Sequence, residues 1–171
     1  MDNKQYDSAL ADFLSAREYP ENLGIEIPKN DARRPQVNYC IATAYKALNQ
    51  NDKAQQFFSE SAAQNIRRSR GEARFYQALS LKQLNRQDEA DRILDEMIES
   101  GTTRLSDERT EVDFFAKFGQ RETRQVQQAS AHYTLGLGLL GKGNTKEAKD
   151  QFDKAVHLNA AHTWAKYYTE K

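Results

Sequence analysis

Cysteine is almost missing from this 171-residue chain: Cys40 stands alone, so neither an intramolecular disulfide nor a cysteine-built metal cage is available. Proline is confined to one stretch, with Pro20, Pro28 and Pro35 all inside Tyr19–Pro35. The rest of the chain is therefore open to long helices, whose interiors exclude proline. Neither sign of charge has a surplus, since 25 Lys and Arg face 25 Asp and Glu. Polyanion and anionic-membrane binding draw on an excess of positive charge, so neither nucleic acid nor membrane is expected as a partner. Long apolar runs are also lacking. The longest, Leu135–Gly141, falls far short of the ~20 residues that span a bilayer. No basic segment followed by an apolar one opens the chain, so the cytoplasm is its expected compartment.

What is present is a pattern. The hydrophobic share is 38% and the mean hydropathy −0.91, a balance that suits thin layers of amphipathic helices better than a thick core. Four alanines, Ala9, Ala54, Ala90 and Ala148, head the same spacing. Four residues on stand Phe13, Phe58, Leu94 and Phe152; seven on stand Ala16, Ser61, Met97 and Ala155. That stripe is one face of a helix. Twelve residues before each of the last three alanines is a small residue (Ala42, Ala78, Gly136), and nine before is a larger one (Tyr45, Leu81, Leu139). A small residue facing a small residue lets the two helices of a hairpin approach closely. Asn49, Asn85 and Gly143, each five residues before the alanine, suit the left-handed conformation that ends a helix. Asp52, Asp88 and Thr145 suit the start of the next.

Taken together, these spacings resemble the tetratricopeptide repeat (TPR). The resemblance is fullest in Tyr133-Thr134-Leu135-Gly136, Gly143-Asn144-Thr145-Lys146-Glu147-Ala148, Phe152 and Ala155. Residues 35–68 keep Ile41, Ala42, Tyr45, Ala54 and Phe58, whereas residues 71–104 place Arg74 and Gln77 where the family has apolar residues. The key alanines lie 45, 36 and 58 residues apart against a repeat of roughly 34, so the array is interrupted twice. The expected fold is all-α: a TPR-like superhelix, or solenoid, of about three and a half repeats. Its parts are a second helix of a truncated repeat at 4–18, an insert loop at 19–35, repeats at 35–68, 71–104 and 129–162, an aromatic insert at 101–119 and a capping helix at 160–170. The insert carries Val112, Phe114, Phe115 and Phe118, which suit a segment folded back onto the array. The segment 4–18 has no first helix before it, which suggests a fragment of a longer protein or a face covered by a partner or a second copy.

A narrower resemblance rests on Tyr19-Pro20-Glu21-Asn22-Leu23-Gly24 together with the aromatic insert and the Gly136–Gly143 segment. The combination is similar to the C-terminal TPR region of large bacterial proteins whose N-terminal part is a β-rich domain of unknown function.

Catalytic and cofactor motifs reduce to packing. Gly136-Leu137-Gly138-Leu139-Leu140-Gly141 matches the dinucleotide fingerprint, and Gly136 with Gly141-Lys142-Gly143 nearly matches a phosphate loop. Both require a preceding strand, and no strand-like alternation occurs here; the second also needs a Ser or Thr hydroxyl where Gly143 stands. His132, His157 and His162 have no metal-ligand spacing, and Cys40 has no histidine near it in sequence. Arg67, Arg68, Arg70 and Arg74 form a basic cluster that reads as a helix end balanced by Glu60 and Glu72 in preference to a docking patch for acidic peptide or phosphate. No catalytic residue, metal or cofactor is expected, and the chain is not expected to be an enzyme.

By resemblance to TPR arrays, the fifth position of each repeat points into a concave groove: Tyr39, Phe75 and Tyr133. Thr43, Lys46, Leu79, Lys82 and Leu137 extend that surface. Aromatic anchors with flanking lysines suit a peptide or protein segment. A carboxylate clamp of the chaperone-binding type is disfavoured, because its Lys and Asn positions are aromatic, Thr or Leu here. The expected function is non-enzymatic protein–protein interaction through this groove. The alternative is an accessory region that docks on and positions an upstream β-rich catalytic or carbohydrate-recognising domain of the same chain. Self-association through the exposed N-terminal helix is a third expectation.

Overall fold

The computed structural model describes residues 3–18, 31–64, 71–106 and 124–170. Among these residues there are helices and turns and no strand. The helices are α1 (Asn3–Arg17), α2 (Arg34–Ala47), α3 (Asn51–Ala62), α4 (Glu72–Gln83), α5 (Gln87–Ser106), α6 (Arg124–Lys142), α7 (Thr145–Leu158) and α8 (Thr163–Thr169). The fold is all-α and built of TPR-like hairpins, α2–α3, α4–α5 and α6–α7. By compactness the chain divides into two units, Met1–Ile93 and Leu94–Lys171, with α5 running through the division.

Each hairpin turn is made the same way. Asn49 and Asn85 adopt φ of 60° and 58°, and Gly143 adopts 90°. In each case the residue with positive φ donates its N–H to the carbonyl three back, and the next residue donates to the carbonyl five back. The pairs are Asn49 to Lys46 and Gln50 to Tyr45, Asn85 to Lys82 and Arg86 to Leu81, Gly143 to Leu140 and Asn144 to Leu139. These bonds satisfy carbonyls that the last turn of a helix leaves open, and Asn and Gly are the residues that enter the left-handed region at least cost. Asp52 and Asp88 lie in the first turns of α3 and α5, where their charge meets the positive end of the helix dipole.

In the first unit, Ile41, Ala42 and Tyr45 of α2 meet Ala54, Phe57 and Phe58 of α3 in one buried cluster. Burying each of the larger side chains contributes about 1.5–3 kcal/mol. Leu10 and Phe13 of α1 pack against the same cluster. Arg17 closes the edge: its guanidinium lies 5.2 Å from the Phe57 ring centroid and pairs with Glu60 at 2.9 Å. Glu60 is thus engaged by α1. Arg67, Arg68 and Arg70 lie outside the described residues. The sequence's expectation of an incompletely covered first helix corresponds to a graded burial. Ala9 and Phe13 are half-buried and Ala16 is exposed, whereas the equivalent Ala54, Phe58 and Ser61 are buried.

Polar residues at repeat-core positions have defined partners. The Ser61 hydroxyl donates to the Pro35 carbonyl at 2.8 Å and accepts from Ser80 at 2.7 Å, all within the core. Gln77, which sequence comparison marks as a weak position, donates from Nε2 to the carbonyls of Ala62 at 3.3 Å and Gln64 at 2.6 Å. It ties α4 to the end of α3, a use that no apolar residue could serve.

In the second unit, residues 94–106 of α5 pack against α6 through glycines. A Cβ at Gly101 would lie 2.8 Å from Leu135 Cβ, 2.9 Å from Leu135 N and 3.0 Å from the Ala131 carbonyl. One at Gly138 would meet Ile98 and the Leu94 carbonyl, one at Gly141 the Leu94 side chain, and one at Gly136 the Phe152 ring. The glycines that mimic a nucleotide fingerprint are thus contact points between helices. Of the insert expected at 101–119, Gly101–Ser106 continue α5, and residues 107–119 lie outside the described residues. The insert loop at 19–35 is described only from Asp31, with α2 already under way at Arg34.

The capping helix is α8, which packs on α7 and buries Ala165. His162 Nδ1 accepts the Ala165 N–H at 3.2 Å and caps its start. Its outer side is less polar than expected, with Trp164 44% and Tyr167 43% exposed.

Candidate functional site

The predicted groove residues fall into two classes. Phe75 and Tyr133 are each only 4% exposed, and Leu137 is fully buried. These three belong to the core and present no free surface, contrary to expectation. Tyr133 sits 5.8 Å from Phe152, 4.6 Å from His162 and 6.3 Å from Tyr168, measured between ring centroids. Its cover comes from α7 and α8. Leu137 follows it by one helical turn on the same face of α6.

Tyr39, Thr43 and Lys46 of α2, and Leu79 and Lys82 of α4, remain at the surface of the first unit. Thr43 and Lys46 are exposed; Tyr39, Leu79 and Lys82 are half-buried. On each helix the residues stand three or four apart, which places them along one side. The Tyr39 ring leans on Phe58 at 5.7 Å and on Tyr76 at 5.4 Å. Gln36 Nε2 donates to the Tyr76 hydroxyl at 3.5 Å, and Lys46 Nζ donates to Gln83 Oε1 at 2.7 Å. α2 and α4 are therefore linked near both ends of this face, by Gln36–Tyr76 and by Lys46–Gln83.

Burial raises the Tyr39 phenol above its ordinary pKa, a shift that the Thr43 side chain partly offsets and the neighbouring Cys40 adds to. Tyr39 therefore stays protonated near neutrality. Burial likewise raises the half-buried Cys40 thiol, which suppresses the thiolate a nucleophile needs. No group of three or more metal-ligating side chains occurs among the described residues. His132 Nδ1 pairs with Gln151 Oε1 at 2.8 Å, His162 caps α8, and His157 is exposed. No described helix is long and apolar enough to cross a membrane.

Sequence reasoning missed Tyr76, Gln36 and Gln83, which join the two helices, and Asn38, which is 1% exposed with neither amide atom hydrogen-bonded. Gln36 stands at the same repeat position as Glu72, and Gln83 follows Lys82 directly. Repeat register could therefore have found two of the four.

Comparison with known proteins returns little beyond the repeat itself. No curated protein and no solved structure matches the chain. Residues 129–162, which take in most of α6, all of α7 and the turn that follows it, match the family described as tetratricopeptide repeat.

Proposed function

We propose that this chain is a non-enzymatic adaptor that binds a peptide or protein segment on the α2–α4 face of its first unit. The observation that carries the reading is the placement of Thr43, Lys46, Leu79 and Lys82 at the surface beside the Tyr39–Tyr76 aromatic pair. Half-buried apolar groups flanked by long cations provide anchoring and orientation together. Phe75 serves this face only by holding α4 in the core of the first unit, and Tyr133 and Leu137 belong to the core of the second. The repeat match supports protein interaction as the mode of action.

Site-specific photo-cross-linking tests the reading without disturbing the core. A photoreactive residue at exposed Thr43 is compared with one at exposed Ser59, on α3. The expected result is a discrete adduct with a protein from the source lysate at Thr43 and none at Ser59. Adducts of the same mass and yield from both positions, or from Ser59 alone, refute the α2–α4 face as the binding surface.

A further inference from the structure

The first and last of the described helices are of opposite kinds. α1 carries the second-helix spacing, with Ala9, Phe13 and Ala16 where α3 has Ala54, Phe58 and Ser61. α8 carries the first-helix register. Tyr167 stands thirty-four residues after Tyr133, one repeat on, and buried Ala165 corresponds to buried Ala73 of α4 and Ala131 of α6. The described residues supply neither α1 nor α8 with the other half of a hairpin. Both helices also leave apolar surface open. Three large hydrophobic side chains are exposed among the described residues, Leu14 on α1 and Trp164 and Tyr167 on α8.

The complete hairpins show how two such helices meet. The fifth-position tyrosine packs on the phenylalanine of the second helix, Tyr39 on Phe58 at 5.7 Å and Tyr133 on Phe152 at 5.8 Å. The residue before the tyrosine meets the residue before the phenylalanine, where His132 Nδ1 pairs with Gln151 Oε1 at 2.8 Å. The residue four before the tyrosine meets the residue three after the phenylalanine, where the Ser61 hydroxyl donates to the Pro35 carbonyl at 2.8 Å. Carried over to the end helices, the same register sets Tyr167 on Phe13, Lys166 against Asp12 and Thr163 against Ala16. The charges fit that register. Lys166 and Asp12 are exposed and opposite in sign, and neither forms an ion pair among the described residues.

We infer that α8 of one copy docks on α1 of a second copy, the two helices completing one hairpin between chains. The surface is separate from the α2–α4 face and does not depend on it. Because the contact joins two different surfaces of the same chain, it is heterologous: a joined pair keeps one open α1 and one open α8, and assembly proceeds head to tail. The short α8 offers a small area, so association is expected to be weak, with a Kd of about 1 mM or somewhat tighter. The aromatic pair supplies most of the attraction, and the exposed ion pair chiefly selects the register.

Sedimentation equilibrium of the full chain at concentrations up to ~1 mM tests the inference. The mass is expected to rise with concentration. Tyr167→Glu spoils only α8 and Ala16→Glu spoils only α1, and each variant alone is expected to keep the mass of one chain. Both positions are exposed, and an unchanged thermal midpoint shows that each variant folds. Mixed in equal amounts, the two variants are expected to associate again but to stop at two chains, since each contributes its one intact surface. Ala16→Cys mixed with Thr163→Cys, both in a Cys40→Ala background, is expected to give the mixed disulfide in excess of random pairing. A parent that keeps the mass of one chain throughout overturns the inference. So does either variant associating alone as the parent does, or a mixture that stays at one chain. A mixed disulfide no more abundant than random pairing gives also overturns it, in favour of a symmetric contact or none.

Discussion

Replacing Gly101 by alanine sets two physical effects against each other, and the structure decides the sign. On an exposed helix the change stabilises by about 1 kcal/mol, because alanine forms helix more readily than glycine. At Gly101 the added Cβ would sit 2.8 Å from Leu135 Cβ, 2.9 Å from Leu135 N and 3.0 Å from the Ala131 oxygen. Two of those three atoms are backbone, and backbone cannot rotate away as a side chain can. α5 must therefore withdraw from α6 by several tenths of an ångström, loosening contacts along Leu94, Ile98 and Gly138. Overpacking of this kind costs about 1–3 kcal/mol. After the propensity gain of about 1 kcal/mol, the expected outcome is a net loss of up to about 2 kcal/mol. Urea unfolding followed by Trp164 fluorescence reads it directly, since Trp164 is the only tryptophan and lies in the same unit. With a denaturant slope of about 1–2 kcal/mol per molar for so small a unit, the midpoint should fall by roughly 1 M. Gly143→Ala is the control: its φ is 90° and nothing lies within 4 Å of the new Cβ. It should lose only the ~1 kcal/mol cost of left-handed backbone. A Gly101→Ala midpoint at or above that of the parent would refute the reasoning, by showing that the α5–α6 spacing is not set by glycine.

Tyr133→Ala should lower stability by about 3–5 kcal/mol, the usual cost of removing a buried aromatic, because the ring is packed among Phe152, His162 and Tyr168. An unchanged thermal midpoint would return Tyr133 to the surface role that sequence reasoning gave it. Asn38→Leu should raise stability by about 1–3 kcal/mol in chemical denaturation, by removing a buried amide with neither polar atom hydrogen-bonded. A loss of more than 1 kcal/mol would show that the Asn38 amide is held by a hydrogen bond in solution.

The parts of the fold that sequence made legible are those fixed by short-range chemistry. The repeated alanines mark helix contacts because only small residues permit the close approach; Ala42, Ala54, Ala78, Ala90 and Ala148 are accordingly buried. Asn49 and Asn85 mark turns because few residues adopt positive φ at low cost. The site was legible only in part. A position on the first helix of a hairpin fixes a direction, but not what stands in that direction. Tyr39 and Tyr133 occupy the same repeat position, yet Tyr39 remains half-exposed while Tyr133 is covered by His162 and Tyr168. That cover arrives from 29 and 35 residues along the chain, beyond the reach of any local pattern. Gln77 shows the converse, since its mismatch to the family pattern is resolved by two carbonyls near the end of α3.

The same limit applies to charge. Equal totals of 25 against 25 argue against nucleic acid and anionic membrane as partners, yet a total says nothing about arrangement on faces. Helix-dipole stabilisation alone does not account for the arrangement found. That effect favours acids in every first turn and bases in every last turn, whichever side of the hairpin a helix occupies. Here α3, α4, α5 and α7 carry acids in their first turns, whereas α1, α2 and α6 carry none. In the second unit Lys142 of α6 spends its charge on Asp95 of α5 at 2.9 Å, at the surface. In the first unit Lys46 spends its hydrogen bond on a neutral amide and keeps its charge. That contrast depends on which partner each lysine meets in space, and no count of charges along the chain supplies it.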